Sequence, residues 1–334
     1  MKKKNIIKKL MSVVLSAATM FSLLTLPAHA DEYDNETFSV MRYNVATQET
    51  ETVQISDSDS MFPNTGTRSL LDEETQQIMN EKDAAMASNV QSRQIIGNDD
   101  REFAYPGADH PYSGIVLIEQ VCTKTDGSQK TFFSTGFMVA PKVMVTAAHC
   151  VTEYGAEYVS VDSITVYQGV YVSKNATPSY EAYPSAEADY VYYPPEYHNI
   201  LSGLSAGDQY DYDWAVVTLS SEITSYYFDC ACVNNLNALP NRSVVIAGYP
   251  DDAEFYMMKG VGTVDTVANS GRHMLHNVDT RPEQSGSPMH NPSTYTVFGI
   301  HTSSISDDPT HNRGTIIIQE VYNTIATAIQ STTS

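Results

Sequence analysis

Residues 143–150 read VMVTAAHC, an apolar run of strand length that ends in a histidine. A histidine at a strand end can act as a general base, because its unperturbed pKa lies near neutrality. Outward from this stretch, short apolar runs separated by turn residues recur throughout residues 94–334. They lie at 113–123, 130–140, 143–147, 163–172, 214–219, 243–248, 260–267, 275–278, 295–301 and 314–318. Within residues 94–334 only 320–329 follow a helical pattern, so this part of the chain is predicted to be all-β, a barrel or sandwich fold, with a C-terminal helix.

The composition excludes several classes of function. The 334 residues are 42% hydrophobic, enough for a sizeable core, and 40 acidic against 19 basic side chains give a net charge of −21. Such an acidic chain repels phosphate, so we expect no nucleic-acid partner. Four cysteines without zinc spacing and nine scattered histidines predict no metal site and no cofactor. The Tyr-rich run 180–197 is interpreted as a cover of a barrel surface or of a cleft rim.

The first 30 residues have the pattern of a secretory signal. Five lysines precede an apolar stretch at 10–26, and Ala28-His29-Ala30 forms a small-x-small cleavage site. The apolar stretch is short and no stop-transfer segment follows, which disfavours a stable membrane anchor. We therefore expect a protein exported from a bacterial cell to the extracellular space.

Residues 31–93 differ in composition from the rest of the chain. They hold 13 acidic and 4 basic residues, no Cys or Trp, and few apolar runs of strand length. Apolar residues recur at helical spacing between Ser69 and Val90. We interpret 31–93 as an acidic pro-segment. The alternative is a solvated spacer with one amphipathic helix.

Two further segments contain residues that could act in catalysis together with His149. In DYDWAVV (211–217), Asp213 directly precedes an apolar strand, where a buried carboxylate can orient an imidazole; Asp211 is the second candidate. In QSGSP (284–288), Ser285 is flanked by glycine, which lets the backbone turn tightly and expose the hydroxyl. The order His, Asp, Ser, each in its expected context, predicts nucleophilic acyl transfer.

The segments TAAHC (146–150), DWAVV (213–217) and QSGSP resemble those of chymotrypsin-like serine proteases. Residues 94–330 resemble secreted bacterial glutamyl endopeptidases more closely, through IIGNDDR (95–101), AGYP (247–250) and FGIHT (298–302). The resemblance implies two perpendicular six-stranded antiparallel β-barrels with a catalytic cleft between them. It also implies a serine endopeptidase that acts on proteins or peptides and prefers glutamate, with aspartate second, at P1, the residue before the cleaved bond.

The resemblance assigns catalytic roles to three side chains. His149 would be the general base, Asp213 its orienting acid and Ser285 the nucleophile. The backbone N–H groups of Glu283 and Ser285 would form the oxyanion hole. We expect a monomeric protease domain at 94–334.

The resemblance also assigns the acidic P1 pocket. Thr280 and His301 would bind the substrate carboxylate, and the α-amine of a mature chain beginning at Gln94 would add positive charge. That start requires an activating protease that cuts at Arg93-Gln94; a cut after Gln94 would leave Ile95 first.

Some residues depart from the family pattern. Pro282-Glu283 replaces the usual Gly-Gly, and the Glu283 carboxylate adds negative charge near a pocket meant for acidic substrates. Asp279 in the pocket would favour basic P1 residues, but strand alternation places it opposite Thr280. The rival hypotheses are a protease with another P1 preference and a non-catalytic binding or adhesion protein. The four cysteines allow three pairings, Cys122–Cys150 among them.

Overall fold

The computed structural model describes residues 37–56, 99–106, 111–152, 157–201, 207–224, 226–305, 308 and 310–333. The predicted signal segment, the helical pattern at 69–90, Gln94 and Ile95 lie outside these ranges. The α-helices are α1 (Pro195–Leu201) and α2 (Gln319–Thr333). The strands are β1 (Thr37–Asn44), β2 (Glu49–Ser56), β3 (Glu102–Phe103), β4 (Ile115–Lys124), β5 (Gln129–Ala140), β6 (Val143–Thr146), β7 (Tyr158–Gln168), β8 (Ser185–Tyr193), β9 (Ala215–Leu219), β10 (Ser243–Gly248), β11 (Met258–Val267), β12 (His273–His276), β13 (Pro288–His290), β14 (Val297–Ser304) and β15 (Asn312–Ile316).

The first barrel is the closed antiparallel ring β4-β5-β6-β9-β8-β7, in which β7 pairs back with β4. Its strands are rich in β-branched and large apolar residues, which suit a pleated, buried surface. β6 (VMVT) and the first four residues of β4 (IVLI) are wholly buried. Closure of the ring encloses these side chains in one core.

The second barrel is the closed antiparallel ring β10-β13-β14-β15-β12-β11, in which β11 pairs back with β10. β3 adds a short strand to the outside of β11. After β15 the chain forms α2, which returns to the first barrel and contacts β6 and β9. The prediction of two six-stranded antiparallel barrels with a C-terminal helix is therefore confirmed.

Two barrel strands were not predicted from the sequence: β13, which has only three residues, and β8, whose first half has a weak apolar signal. The Tyr-rich stretch 180–197 contains β8, whose first half alternates buried Ala186 and Ala188 with exposed Glu187 and Asp189. Alanine contributes little to an apolar pattern, so the alternation passes for a polar surface segment. The stretch is a wall of the first barrel rather than a cover over it.

A second departure lies inside the predicted pro-segment. Residues 37–56 form the hairpin β1–β2, and β1 pairs with β8 of the first barrel. The expectation that 31–93 holds few strand-length runs was wrong for this part of it. Only Val40, Val45 and Ile55 are buried, so the apolar signal of the hairpin is thin. The boundary at 93/94 stays a prediction.

Candidate active site

His149 and Asp213 are in direct contact. β6 ends at Thr146, and a single turn at Ala148–Cys150 presents the imidazole. His149 Nδ1 lies 2.7 Å from Asp213 Oδ2, and the backbone N–H of His149 donates to Asp213 Oδ1 at 3.0 Å. These two contacts fix both the ring and its backbone against one carboxylate.

The surroundings of His149 set its protonation. Burial alone would lower the pKa of His149, but the adjacent Asp213 carboxylate more than offsets this and raises that pKa well above its usual value. The His149 side chain is 18% exposed and that of Asp213 only 4%. An imidazole in this setting is a strong base that is still open to solvent on one side.

Asp211, the second candidate acid, serves another histidine. Its Oδ1 lies 2.7 Å from His273 Nδ1 and accepts from the Ser270 hydroxyl at 2.6 Å. The carboxylate thus ties the loop before β9 to the loop before β12. Asp213 rather than Asp211 meets His149 because Asp213 directly precedes the buried residue Trp214.

Ser285 lies in the tight turn between β12 and β13. Gly286 has φ +89°, and a Cβ there would lie 2.0 Å from the carbonyl oxygen of Thr135, so only glycine fits. The Ser285 hydroxyl donates to the carbonyl oxygen of Thr302 at 2.6 Å. Its proton is therefore directed at β14 in this structure rather than at His149.

Glu283 occupies the backbone conformation that glycine favours. Its φ is +73°, in the left-handed region where a side chain costs about 1–2 kcal/mol. The Glu283 carboxylate lies 3.3 Å from Nζ of Lys174, which comes from the loop between β7 and β8. Burial raises the pKa of Glu283, and the Lys174 ammonium offsets part of that rise. An ion pair between the barrels thus partly neutralises the charge that the sequence places beside Ser285.

Thr135 on β5 joins the first barrel to the Ser285 loop, a role that the sequence did not reveal. Its backbone N–H donates to the carbonyl oxygen of Ser285 and its hydroxyl donates to that of Glu283, both at 3.0 Å. The same hydroxyl accepts from the backbone N–H of Tyr249 at 3.0 Å. Thr135 is wholly buried. The only sequence signal was a hydroxyl at an inward position of an apolar strand.

His301 lies in a chain of hydrogen bonds within the second barrel. The backbone N–H of Val278 donates to His276 Nδ1 at 3.3 Å, and His276 Nε2 lies 3.2 Å from His301 Nδ1. We assign the tautomers from this order: His276 donates through Nε2, so a neutral His301 carries its proton on Nε2. His276 was not singled out in the sequence, where it is one histidine among nine.

Both histidines are held neutral. His276 is wholly buried and His301 is 2% exposed. Burial lowers the pKa of His276 well below its usual value and that of His301 to about 4. At neutral pH, His301 is therefore a neutral hydrogen-bond donor. Thr280 is half-buried, and among the described residues no hydrogen bond joins Thr280 to His301.

Asp279 faces the segment near the predicted mature N-terminus. Its Oδ2 lies 3.5 Å from the backbone N–H of Asp100, and its Oδ1 is buried without a hydrogen-bond partner. Burial, together with the nearby carboxylates of Asp100 and Asp99, raises the pKa of Asp279 to about 6. Within the described ranges, its side-chain hydrogen bond is thus made to Asp100.

The other sequence expectations concern cysteines, metals and membranes. All four cysteines are buried thiols, so Cys122 and Cys150 are not joined by a disulfide, and Cys150 Sγ donates to the Ser285 carbonyl oxygen at 3.5 Å. In the described ranges, no group of three or more His, Cys, Asp and Glu side chains is arranged to hold a metal ion. No helix in these ranges has the length and apolar character needed to span a membrane.

Comparison with known proteins shows which family has this architecture. Residues 134–300 match the trypsin-like peptidase domain. The chain is 29% identical over 259 residues to the glutamyl endopeptidase of Bacillus licheniformis, an alignment that covers 73% of this chain and 72% of that protein. It is 26% identical over 252 residues to a Bacillus subtilis protein named extracellular metalloprotease, covering 72% of each.

A solved structure supports the same placement. It is that of a Glu endopeptidase in complex with MPD, which matches with a TM-score of 0.52 at 25% identity and covers 71% of this chain and 97% of that one. The matched domain contains His149, Asp213 and Ser285, on the two closed barrels of the chymotrypsin-like serine peptidase fold. The chain therefore belongs to the trypsin-like peptidase family.

Proposed function

We propose that this protein is a secreted serine endopeptidase that cleaves after glutamate, with aspartate second, using His149, Asp213 and Ser285. The observation that carries the proposal is the contact between His149 and Asp213. Because Nδ1 faces the carboxylate, Nε2 is the nitrogen that would take the Ser285 proton. The Asp213 carboxylate, which raises the pKa of His149, would stabilise the imidazolium that forms when Nε2 takes this proton.

The reaction follows from these groups. The Ser285 hydroxyl turns away from Thr302 toward His149, loses its proton to Nε2 and bonds to the carbonyl carbon of the substrate. The oxyanion accepts hydrogen bonds from the backbone N–H groups of Glu283 and Ser285. The imidazolium of His149 then protonates the leaving amine, and the peptide bond breaks. Water, deprotonated by His149, hydrolyses the resulting Ser285 ester.

The preference for acidic P1 residues rests on a neutral donor. The Nε2–H of His301 and the Thr280 hydroxyl would both donate to a P1 carboxylate. Binding of that carboxylate would raise the low pKa of His301, so a proton can enter the pocket with the substrate. Asp279 is in contact with the segment at Asp100, which favours an acidic over a basic P1 residue. The name of the Bacillus licheniformis relative agrees with this preference.

The proposal also includes activation of an inactive precursor by proteolysis. An activating protease would cut at Arg93-Gln94 and free an α-amine on Gln94, or on Ile95 if the cut falls one residue later. The ammonium would add positive charge for the P1 carboxylate. A monomer that carries no cofactor is sufficient for this chemistry.

The test is digestion of a mixed peptide library by the activated enzyme, with Ser285→Ala and His301→Ala prepared in parallel. We expect cuts after glutamate, no cuts by Ser285→Ala, and a loss in His301→Ala that is much larger for glutamate than for leucine at P1. Equal losses for both residues would refute the role of His301 but keep the triad. Cutting by Ser285→Ala would refute the triad, and a folded parent without activity would favour a binding protein.

A further inference from the structure

The hairpin β1–β2 fills an opening in the wall of the first barrel. β8 pairs with β7 only through residues 185–187, after which the two strands separate. Over residues 190–193, β1 takes the place of β7: Met41 lies opposite Tyr193, and Asn44 opposite Tyr190. The backbone N–H of Val45 extends the contact to the carbonyl oxygen of Asp189 at 3.1 Å. Without the hairpin, this half of β8 would present unpaired backbone groups on one side.

Both faces of β1 are covered by the barrel. On one face, the Arg42 guanidinium lies over the rings of Tyr190 and Tyr192, 5.0 and 6.0 Å from their centroids. On the other face, the Tyr43 hydroxyl donates to the carbonyl oxygen of Val161 on β7 at 3.1 Å. β2 contacts α2, and β1 contacts α1. The hairpin is therefore held by side chains as well as by strand pairing.

Three aliphatic residues of the hairpin join the main core. Val40 and Ile55 are wholly buried and Val45 is 6% exposed, in one continuous cluster with the apolar residues of the first barrel. β1 and β2 are tied to each other along eight residue pairs and by an ion pair between Arg42 and Glu51. A hairpin with its own register and its own apolar face can dock as a unit.

The hairpin shares a small cavity with the residues that follow the His149 turn. A cavity of about 180 Å³ separates Tyr43 and Thr50 from Val151 and Thr152, which follow the His149 turn. The strand pairing and the core contacts described above lie between residues 37–56 and the barrels, so a cut in the chain beyond residue 56 leaves those contacts in place.

We propose that residues 37–56 remain bound to the barrel after the chain is cut at the predicted boundary, so that the mature protease is a two-chain complex of hairpin and barrels. The partner is this chain's own hairpin, docked by strand addition to residues 190–193 of β8. The proposal takes the cut at Arg93-Gln94 from the proposed function, whereas the docking itself concerns a backbone edge and a core and is tested without the reaction.

The test uses the full chain with Ser285→Ala, which prevents self-cleavage. A recognition sequence for tobacco etch virus protease is inserted between residues 75 and 80, and the cut protein is analysed by size-exclusion chromatography and mass spectrometry. We expect the N-terminal fragment to co-elute with the barrels at about 10 μM, and the melting temperature of the cut complex to rise with protein concentration. Separate elution of the fragment from folded barrels would refute the proposal.

Matched variants locate the contact. Val40→Ala, which removes two buried methyl groups, is expected to weaken retention of the fragment by about ten-fold or more. Glu49→Ala, at an exposed position of the same hairpin, is expected to leave retention unchanged. Equal retention in the two variants would refute docking through the core. If an insertion at 75–80 prevents folding, an insertion between residues 86 and 92 gives the same readout.

Discussion

The hydroxyl of Thr135 offers the sharpest test of how the two barrels share one site. Thr135→Val keeps the shape of the side chain and removes its single polar atom. Two backbone groups then lose their partner: the N–H of Tyr249, which is 1% exposed, and the carbonyl oxygen of Glu283, which is half-buried. A buried group left without a partner costs about 1–3 kcal/mol. Because solvent can reach Glu283, we expect a total loss of about 2–4 kcal/mol in the free energy of unfolding.

Thr135→Val is also expected to lower activity, because it disturbs the proposed oxyanion hole. Glu283 would donate its N–H to the oxyanion, and loss of one such donor costs about 10²–10³ in kcat. Thr135→Val releases the Glu283 carbonyl, which lies on the peptide unit after the one that carries this N–H, and so loosens the orientation of the donor without removing it; we expect a fall of about ten-fold in kcat and little change in KM.

Two controls separate the hydroxyl from the fold. Thr135→Ser keeps the hydroxyl and is expected to restore kcat, while Thr131→Val, at an exposed position of the same strand, is expected to change neither quantity. Unfolding by urea is followed in the Ser285→Ala background, and kcat in the active enzyme. If the free energy of unfolding of Thr135→Val lies within about 0.5 kcal/mol of its parent and kcat is unchanged, the role given to the Thr135 hydroxyl is refuted.

Two further predictions concern charge. Glu283→Gly is expected to raise kcat/KM for glutamate relative to leucine at P1 by about two- to ten-fold, because it leaves Lys174 without its counter-charge; Lys174→Met should act in the opposite direction, and both effects should shrink in high salt. A change of the same sign in both variants would contradict this reasoning. Asp279 has a raised pKa of about 6, so its stabilising protonated form is present in full below about pH 4 and is lost as pH rises through 6. Asp279→Asn should therefore stabilise the protein at pH 7.5 relative to its effect at pH 4.5, as measured by urea unfolding; a pH-independent difference would exclude this titration.

The barrel strands were predictable where the apolar signal was dense. The run at 143–147 predicts β6, and the run at 243–248 has the same bounds as β10. β8, β13 and β1 were not predicted: the buried residues in the first half of β8 are alanines, β13 has only three residues, and the burial of β1 depends on neighbours far away in sequence. Propensity within a short window cannot register a strand that is stabilised by completing another strand's edge.

The residues of the candidate site also differ in how well the sequence could predict them. Asp213 and Ser285 stand out because their local context is informative: an acid before an apolar strand, and a serine between glycine and glutamine. Thr135 and His276 have no such context, since each acts through a contact with a residue at least 25 positions away. The left-handed conformation of Glu283 could not be predicted either, because a glutamate, unlike a glycine, gives no indication of a positive φ.

The loop around Ser285 is fixed on both sides, which limits what can change before reaction. The Thr135 N–H donates to the Ser285 carbonyl oxygen at 3.0 Å from the first barrel, and the Gly286 N–H donates to the His301 carbonyl oxygen at 2.7 Å in the second. With its backbone held from both barrels, Ser285 retains one soft coordinate, the rotation of its hydroxyl about the Cα–Cβ bond. In the proposed mechanism, this rotation would release the hydroxyl from the Thr302 carbonyl and direct it toward His149. Because both backbone hydrogen bonds restrict the loop, we expect that step to need a change of side-chain rotamer rather than a rearrangement of the loop.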